Sequence, residues 1–256
     1  MSDIFTMRDV RFGYDRKKEV LHGIGMSVPK GEITALIGPN GCGKTTVFSL
    51  LSKARRPDSG EILFDGKPLS ALDRKAFAAR VSVVHQHNAA PEDITVRQLV
   101  SMGRTPFHSI FFASQDGEDR RCVEEAMEFT GTAALADREV SRLSGGQMQR
   151  VWMALAQSRD VLLLDEVTTY LDVHYQYQIL NLVRRLNREF GTSVLMVLHD
   201  INQTMRYADG IIVMKDGNVV AQGIRGGSLT AEVIGETYGV GVRIADIEDQ
   251  RVCLFE

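Results

Sequence analysis

Three short stretches of this chain contain residues whose types and spacing suit phosphate chemistry. The first, GPNGCGKT at 38–45, matches the pattern G-x-x-x-x-G-K-[ST], in which glycines allow the backbone to wrap around a phosphate. Lys44 supplies a point charge for β- and γ-phosphates, and the Thr45 hydroxyl is a ligand for Mg²⁺. A glycine-rich turn that binds nothing is the plain alternative, but the strand before it and the helix after it favour a nucleotide site.

The second stretch, VLLLDE at 161–166, is an apolar strand that ends in two carboxylates. Side chains alternate across a strand, so Asp165 and Glu166 point in different directions. Asp165 can then hold the Mg²⁺ shell, while Glu166 faces the attacking water as a general base, a role that contributes about 10²–10⁴ in rate. A buried strand that reaches solvent through its acids is the alternative for this stretch taken alone.

The third stretch, LSGGQMQR at 143–150, predicts a helix that begins at an anion site. Ser144 can cap the helix, and Gly145 and Gly146 leave the following N–H groups open to an anion. The alternative is a capped surface helix. One nucleotide cannot easily fill both this site and the phosphate loop, because a whole insertion separates them, and a second copy of the chain solves that geometry.

Hydrophobic periodicity predicts the elements that position these stretches. Residues 33–37 form an apolar strand and TTVFSLLSKA a helix, which places the phosphate loop at a helix amino terminus, where backbone N–H groups lack partners. FTMRDVRFGY and GMSVPKGEI predict antiparallel strands near the N-terminus. Further on, VLLLDE, SVLMVLH and GIIVMKDG alternate with helical stretches, which indicates a parallel sheet covered on both faces.

The pattern also divides the chain. Residues 89–142 lack strong strand runs and contain helical patterns in TVRQLVSMG and DRRCVEEAMEFTG, so a helical insertion is the simplest account. The last segment predicts a helix followed by a small edge pair of strands. We therefore expect an α/β protein with one domain over 1–256, made of a core with its antiparallel part at 1–88 and 143–230, a helical subdomain at 89–142 and a tail at 231–256.

Composition excludes several protein classes. The net charge is −3, from 30 basic and 33 acidic residues, so no global basic field indicates nucleic acid or anionic lipid. Apolar runs stop far short of the roughly 18 residues that a membrane span needs, and the start lacks a signal pattern. Cys42, Cys122 and Cys253 are an odd number of cysteines, widely spaced and without a CxxC pair, which favours a reducing cytoplasm.

Taken together, the three stretches resemble the nucleotide-binding subunit of ATP-binding cassette transporters, and the match covers nearly the whole chain. That family has a P-loop NTPase (RecA-like) core in which two subunits sandwich two ATP molecules head to tail. GPNGCGKTT resembles its Walker A motif, VLLLDE its Walker B motif and LSGGQ its signature. The resemblance assigns ATP binding to Gly38, Pro39, Asn40, Gly41, Cys42, Gly43, Lys44, Thr45 and Thr46.

The resemblance also implies roles for residues outside these motifs. Tyr14 would stack on adenine, Gln86 would sense Mg²⁺ and the nucleophilic water, and His199 would contact the γ-phosphate. Catalysis is thereby assigned to Glu166, His199 and Gln86, and Mg²⁺ ligation to Thr45, Gln86 and Asp165. Contact with the nucleotide of the partner copy is assigned to Ser144, Gly145, Gly146, Gln147 and Asp172. The remaining histidines, His22, His85, His87, His108 and His174, are read as structural.

EDITVRQLVSMGRTP, LADREVSRLSGGQ and TTYLDVHYQYQIL resemble the importer branch that serves ferric siderophores, haem and cobalamin. Ferric siderophore is the preferred cargo. The resemblance implies a homodimer at the cytoplasmic face of the cell membrane, bound peripherally to polytopic permease subunits and indirectly to a substrate-binding protein. No nucleic-acid partner is expected.

Two departures from the family pattern are visible. Val167 stands where the family usually has proline after the catalytic acid, which frees an N–H and loosens φ in the turn that holds Glu166. The path from the signature to Walker B is two residues short, which shortens a helix by ~3 Å and turns its far end by ~200°. For Cys42 two interpretations are open: it is a small residue that fills space, or its place beside a helix amino terminus lowers the thiol pKa and makes it reactive.

Two other functions are open to the sequence. A soluble ATP-gated clamp or scaffold of the same class usually carries long coiled-coil insertions or two cassettes, whereas this chain has one signature and one Walker A motif. A GTPase or small-molecule kinase lacks support, because no NKxD-type base-reading motif is present and LSGGQ would have no role. The sequence therefore favours a transport ATPase.

Overall fold

The computed structural model describes residues 2–15, 18–86, 88–91, 93–107, 117–224, 229–248 and 250–256. These residues divide into two units, one formed by residues 1–72 with 186–256 and the other by residues 73–185. Each unit carries part of the chemistry predicted from the sequence, and we describe each by itself.

The first unit begins with an antiparallel sheet of β1 (Asp3–Asp15), β2 (Lys18–Pro29), β4 (Ser59–Phe64) and β5 (Lys67–Pro68). The order of these strands in the sheet is β2-β1-β4-β5. Ile24, Met26 and Val28 alternate with more exposed residues along β2, which is the period-two pattern of a half-buried strand. The sheet predicted near the N-terminus is therefore present, and it carries Tyr14 at the end of β1.

A second sheet of the first unit contains the strand that leads into the phosphate loop. β3 (Ile33–Ile37) lies between β8 (Ser193–Val197) and β9 (Gly210–Lys215), parallel to both, and β10 (Asn218–Ile224) pairs antiparallel with β9. Every residue of β3 and of β8 is buried, as expected for parallel strands covered on both faces. The helices of this unit are α1 (Lys44–Leu51), α7 (Ile201–Tyr207) and α8 (Ala231–Tyr238).

The chain ends in a helix and a strand pair. After α8, β11 (Val242–Ile247) and β12 (Gln250–Phe255) form a two-stranded antiparallel sheet of their own. The side chain of Asn202 on α7 holds β12 by two hydrogen bonds with the backbone of Cys253, at 2.7 and 3.2 Å. β11 and β12 pair with each other as predicted, but they form a sheet of their own and not the edge of a larger described sheet.

The second unit pairs β6 (Val81–Val84) with β7 (Val161–Leu164) in parallel, and most of its other regular structure is helical. These are α2 (Arg74–Arg80), α3 (Val96–Ser101), α4 (Gly117–Phe129), α5 (Gly145–Leu155) and the first part of α6 (Val173–Phe190). α3 and α4 lie in the segment predicted to be a helical insertion, and a capping box between Thr95 and Gln98 fixes the start of α3. The α/β fold predicted from the sequence is confirmed.

The connection from α5 to β7 is the path that the sequence predicts to be short. α5 stops at Leu155 and still buries Val151, Trp152, Met153 and Ala154. The connection that follows is fixed by two hydrogen bonds, from Gln157 Nε2 to the Val100 carbonyl at 2.7 Å and from the Ser158 N–H to Ser82 Oγ at 2.9 Å. The apolar face of α5 is therefore buried, and the shortening of this path relative to the family pattern stays a prediction.

Among the residues that the structure describes, no helix combines the length and the apolar character that crossing a membrane requires.

Candidate functional site

The phosphate loop leaves β3 at a point where side chains are sterically excluded. Gly38 has φ of 150°, and a Cβ there would lie 2.2 Å from the Met214 carbonyl oxygen. Gly43, which precedes α1, has φ of 106°, and its Cβ would lie 2.8 Å from Leu21 Cδ2. Both positions require glycine, because φ is positive and neighbouring atoms leave no room for a Cβ. The backbone therefore passes closely along its neighbours between the strand and the helix.

Lys44 places its charge inside this loop. Its side chain is buried, and Nζ donates to the carbonyl oxygens of Gly38 at 2.8 Å and Pro39 at 3.0 Å. The first turn of α1 contains no acidic residue, and Thr45 is exposed there. Positive charge and unpaired helix N–H groups therefore meet at one end of α1, which is the arrangement that binds phosphate.

Cys42 does not have the reactive thiol that its position had suggested. It is buried, with 3% of its surface exposed, and burial raises the pKa of the thiol above its usual value even though Lys44 acts in the opposite direction. Its carbonyl accepts the Gly217 N–H at 3.1 Å. The hypothesis of an activated thiol is wrong, because desolvation outweighs the nearby positive charge, and Cys42 fills space behind the loop.

Tyr14 contacts α1 through Thr46. Its hydroxyl is 3.2 Å from Thr46 Oγ1, while about half of its side chain is exposed. The guanidinium of Arg55 lies over the ring, 4.6 Å from its centroid, and Phe12 meets the ring edge-on at 5.2 Å. Sequence reasoning missed Arg55, for which the only signal was the basic pair after the helix, in KARRPD.

His199 follows β8, two residues beyond its paired segment. Because Leu36 of β3 pairs in register with Val197, Gly38 and His199 leave the sheet at the same edge. His199 is exposed there, and Asp200 next to it caps α7 by accepting the Gln203 N–H at 2.8 Å. The structure thus brings His199 to the edge that carries the phosphate loop.

In the second unit, the two carboxylates of the Walker B stretch leave the end of β7 in different environments. Asp165 is buried and its N–H donates to the Val84 carbonyl at 2.9 Å. Glu166 is half-buried, with φ of 51°, and its Oε2 accepts a hydrogen bond from Gln86 Nε2 at 2.8 Å. Val167 is buried, and the Thr169 N–H closes the turn on the Glu166 carbonyl at 3.1 Å. The Gln86 amide therefore holds the Glu166 carboxylate, and the turn to Thr169 holds the Glu166 main chain.

The signature stretch starts α5 as predicted, with Ser144 as its cap. The Gln147 N–H donates to Ser144 Oγ at 3.3 Å, and the Ser144 N–H donates to Gln147 Oε1 at 3.0 Å, which completes a capping box. Gly145 is exposed, but Gly146 is buried beneath the ring of Tyr175. Only the first glycine of the pair is thus open at this surface of the unit.

Asp172 lies before α6 and caps it. Asp172 Oδ1 accepts the Tyr175 N–H at 3.1 Å, and the Asp172 carbonyl accepts the Gln176 N–H at 3.0 Å. Asp172 and the signature helix are therefore linked within this unit through Tyr175, a residue that sequence reasoning missed.

The residues assigned to Mg²⁺ suit that ion chemically. Thr45 offers a hydroxyl, Asp165 a carboxylate and Gln86 an amide oxygen, which are the hard oxygen donors that Mg²⁺ prefers. Gln86 uses its nitrogen on Glu166, so its oxygen is directed elsewhere. Across the described ranges no group of three or more His, Cys, Asp or Glu is arranged to hold a metal ion.

The assigned residues thus form three clusters: the phosphate loop with Tyr14 and the sheet edge of His199, the pair of Gln86 and Glu166 beside Asp165, and the signature cap with Asp172. Their joint action on one nucleotide stays a prediction. His87 and His108 lie outside the described residues. Of the other histidines, His22 lies 3.1 Å from Glu19 Oε2 and His174 lies 2.8 Å from the Gln178 amide.

Comparison with known proteins gives consistent matches. A family model described as ABC transporter matches residues 21–169. The chain is 41% identical over 241 residues to the iron(3+)-hydroxamate import ATP-binding protein FhuC of Bacillus subtilis, covering 92% of this chain and 88% of that protein. It is 43% identical over 232 residues to the ferric enterobactin transport ATP-binding protein FepC of Escherichia coli, covering 90% and 85%.

Solved structures agree with these matches. A chain of an ABC transporter in an inward-facing conformation superposes with a TM-score of 0.84 at 26% identity, covering 100% of this chain and 97% of that one. A bacterial ABC transporter cassette solved as a dimer gives a TM-score of 0.77 at 26% identity, covering 87% and 99%.

Proposed function

Because the chain belongs to the ATP-binding cassette (ABC) transporter family, we propose that it is the ATPase subunit that energises import of a ferric siderophore through a separate membrane permease. A related haem or cobalamin chelate is the alternative cargo. The observation that carries the proposal is the identity of 41% and 43% to two import ATP-binding proteins over about nine tenths of this chain.

The two relatives differ in the chelator that their names give, one a hydroxamate and the other enterobactin. What they share is a ferric chelate, so the proposal commits to that class and not to one chelator. Cargo contacts belong to other subunits in this scheme, and this chain supplies the energy.

ATP is held between two copies of the chain in the proposed assembly. One copy would provide Lys44 and the phosphate loop, with Tyr14 against the adenine, and the other would provide the capped start of α5 at Ser144 and Gly145, with Gly146, Gln147 and Asp172 nearby. The dimeric cassette among the similar structures supports this arrangement. Neither copy alone would complete the site.

Hydrolysis in this scheme rests on residues whose local geometry is known. Glu166 accepts a proton from the attacking water, and the Gln86 amide, 2.8 Å away, orients its carboxylate. His199 would contact the γ-phosphate from the sheet edge. Bound Mg²⁺, held by Thr45, Asp165 and Gln86, would neutralise charge that develops on the phosphates.

The partners follow from the same proposal. A permease of separate polypeptides would provide the membrane-spanning part, with a substrate-binding protein delivering the chelate to it. This chain would then lie at the cytoplasmic face of the membrane as a peripheral subunit, and residues 89–142 would carry the groove that receives the permease.

Deletion of the gene followed by growth on a ferric siderophore, haem or cobalamin as the sole source tests the proposal. We expect growth on the ferric siderophore to fail, to return with the wild-type gene and not to return with a Glu166→Gln copy. Normal growth of the deletion strain on all ferric siderophores would contradict an import role, and failure on cobalamin alone would reassign the cargo.

A further inference from the structure

The ring of Tyr175 on α6 lies directly against the backbone of Gly146 at the start of α5. A Cβ at Gly146 would be 2.4 Å from Cδ1, 2.5 Å from Cγ and 2.8 Å from Cε1 of that ring. No real Cβ approaches a neighbour this closely. Cγ is bonded directly to Cβ, so only a different χ1 rotamer or a shift of the Tyr175 backbone could move the ring away. Position 146 therefore accepts only glycine while Tyr175 is present.

Gly145 differs from Gly146 in this respect. A Cβ at Gly145 would meet Leu171 Cδ2 at 4.0 Å, which is an ordinary contact. Neither glycine has a positive φ, so backbone conformation does not explain them. Packing against Tyr175 explains the second glycine of the pair, and no described neighbour in this unit demands the first.

Tyr175 is also attached to Asp172. Its N–H donates to Asp172 Oδ1 at 3.1 Å, so the same residue meets the signature helix with its ring and the Asp172 cap with its backbone. His174 stands nearly perpendicular to the ring at 5.4 Å and is itself held by Gln178 at 2.8 Å. These contacts restrict the ring on a second side.

We propose that Tyr175 is a positioning residue that fixes Asp172 relative to the amino end of α5, so that both move as one body against the nucleotide of the partner copy. The inference rests on the proposed function, because it concerns the shared ATP site of the dimer. Gly146 then has two reasons to lack a side chain: it gives an anion access to the helix N–H groups, and it leaves room for the Tyr175 ring.

Variants that enlarge the side chain at position 146 and reduce the one at position 175 test the proposal. Gly146→Ala should lower ATP turnover about a hundredfold, the upper end of what overpacking costs, because the added methyl would meet the base of the Tyr175 ring. Tyr175→Ala should lower kcat about tenfold through the lost aromatic contact, with the affinity of the monomer for ATP unchanged. Gly146→Ala combined with Tyr175→Ala should return turnover to within about threefold of Tyr175→Ala alone, since the added methyl then has space.

Tyr175→Phe is the matched control, because it keeps the ring and removes only the hydroxyl, and it should retain wild-type kcat. ATP-dependent dimer formation, measured by sedimentation in a Glu166→Gln background, should follow the same order as turnover.

Two results would overturn the inference while leaving the proposed function intact. One is a double variant as inactive as Gly146→Ala, which would mean that the glycine serves the anion alone. The other is a Tyr175→Ala protein with normal kcat and normal dimer formation, which also decides the question if Gly146→Ala fails to fold. A wild-type protein without ATP-dependent turnover or dimerisation would instead contradict the proposed function.

Discussion

The hydrogen bond between Gln86 and Glu166 allows a quantitative prediction about catalysis. Gln86 Nε2 donates to Glu166 Oε2 at 2.8 Å in a half-buried setting. A hydrogen bond to a charged group contributes about 1.5–3 kcal/mol, and partial exposure favours the lower end. Because about 1.4 kcal/mol corresponds to tenfold in rate, Gln86→Ala should slow hydrolysis about tenfold. Glu166→Gln removes the base itself and should cost about 10²–10⁴.

The two effects should not add. In the Glu166→Gln protein no base is left for the amide to orient, and water can replace Gln86 as one ligand of bound Mg²⁺. A further Gln86→Ala change should therefore slow hydrolysis by less than about threefold. The measurement is single-turnover phosphate release with protein in excess over ATP, combined with equilibrium ATP affinity for each variant. Gln250→Ala, which removes the same amide from the C-terminal strand pair, should match the wild type and serves as the control.

Two outcomes would refute this reasoning. Near-normal hydrolysis by Glu166→Gln would show that Glu166 is not the base. A double variant that loses another full tenfold would show that Gln86 acts independently of Glu166, for example only through Mg²⁺.

Four further changes test other parts of the structure. Lys44→Ala should weaken ATP binding about tenfold or more in an equilibrium titration, and unaltered affinity would contradict the phosphate cradle. Ser144→Arg should leave ATP binding by the monomer intact but abolish turnover, so sustained turnover would exclude a shared site. Iodoacetamide should label Cys42 more slowly than the half-buried Cys122 at pH 7, because burial raises the pKa of the Cys42 thiol. The labelling rate of Cys42 should rise only above the pH range in which an ordinary thiol reacts. Equal labelling rates of the two cysteines at pH 7 would contradict the raised pKa. Insertion of two residues after Trp152 should lower the Tm without raising turnover, because it displaces residues that are already buried, and a large gain in turnover would show that the short path is a defect.

Local sequence signals predicted several elements closely. The strand at 33–37 was predictable because an unbroken apolar run stands between turn-forming residues, and the start of α5 because Ser144 and Gln147 have capping-box spacing. In both cases the information lies within a few residues of the feature itself.

Contacts between residues that are far apart in the sequence could not be predicted from it. Gln86 and Glu166 are 80 residues apart, and their types alone do not reveal a hydrogen bond. The interpretation of Cys42 was wrong for a related reason, because its neighbours in sequence supply positive charge while its neighbours in space supply burial. The division of the chain at 88, 142 and 230 stays a prediction.

Arg55 above Tyr14 has a consequence for the choice between nucleotides. An aromatic face and a guanidinium attract any flat, electron-rich base, but they present no set of in-plane donors and acceptors that reads the edge of a purine. In the proposed site, discrimination would come from the number of phosphates and not from the identity of the base. GTP or ITP would then replace ATP at similar concentration, and cellular abundance would decide which triphosphate is consumed.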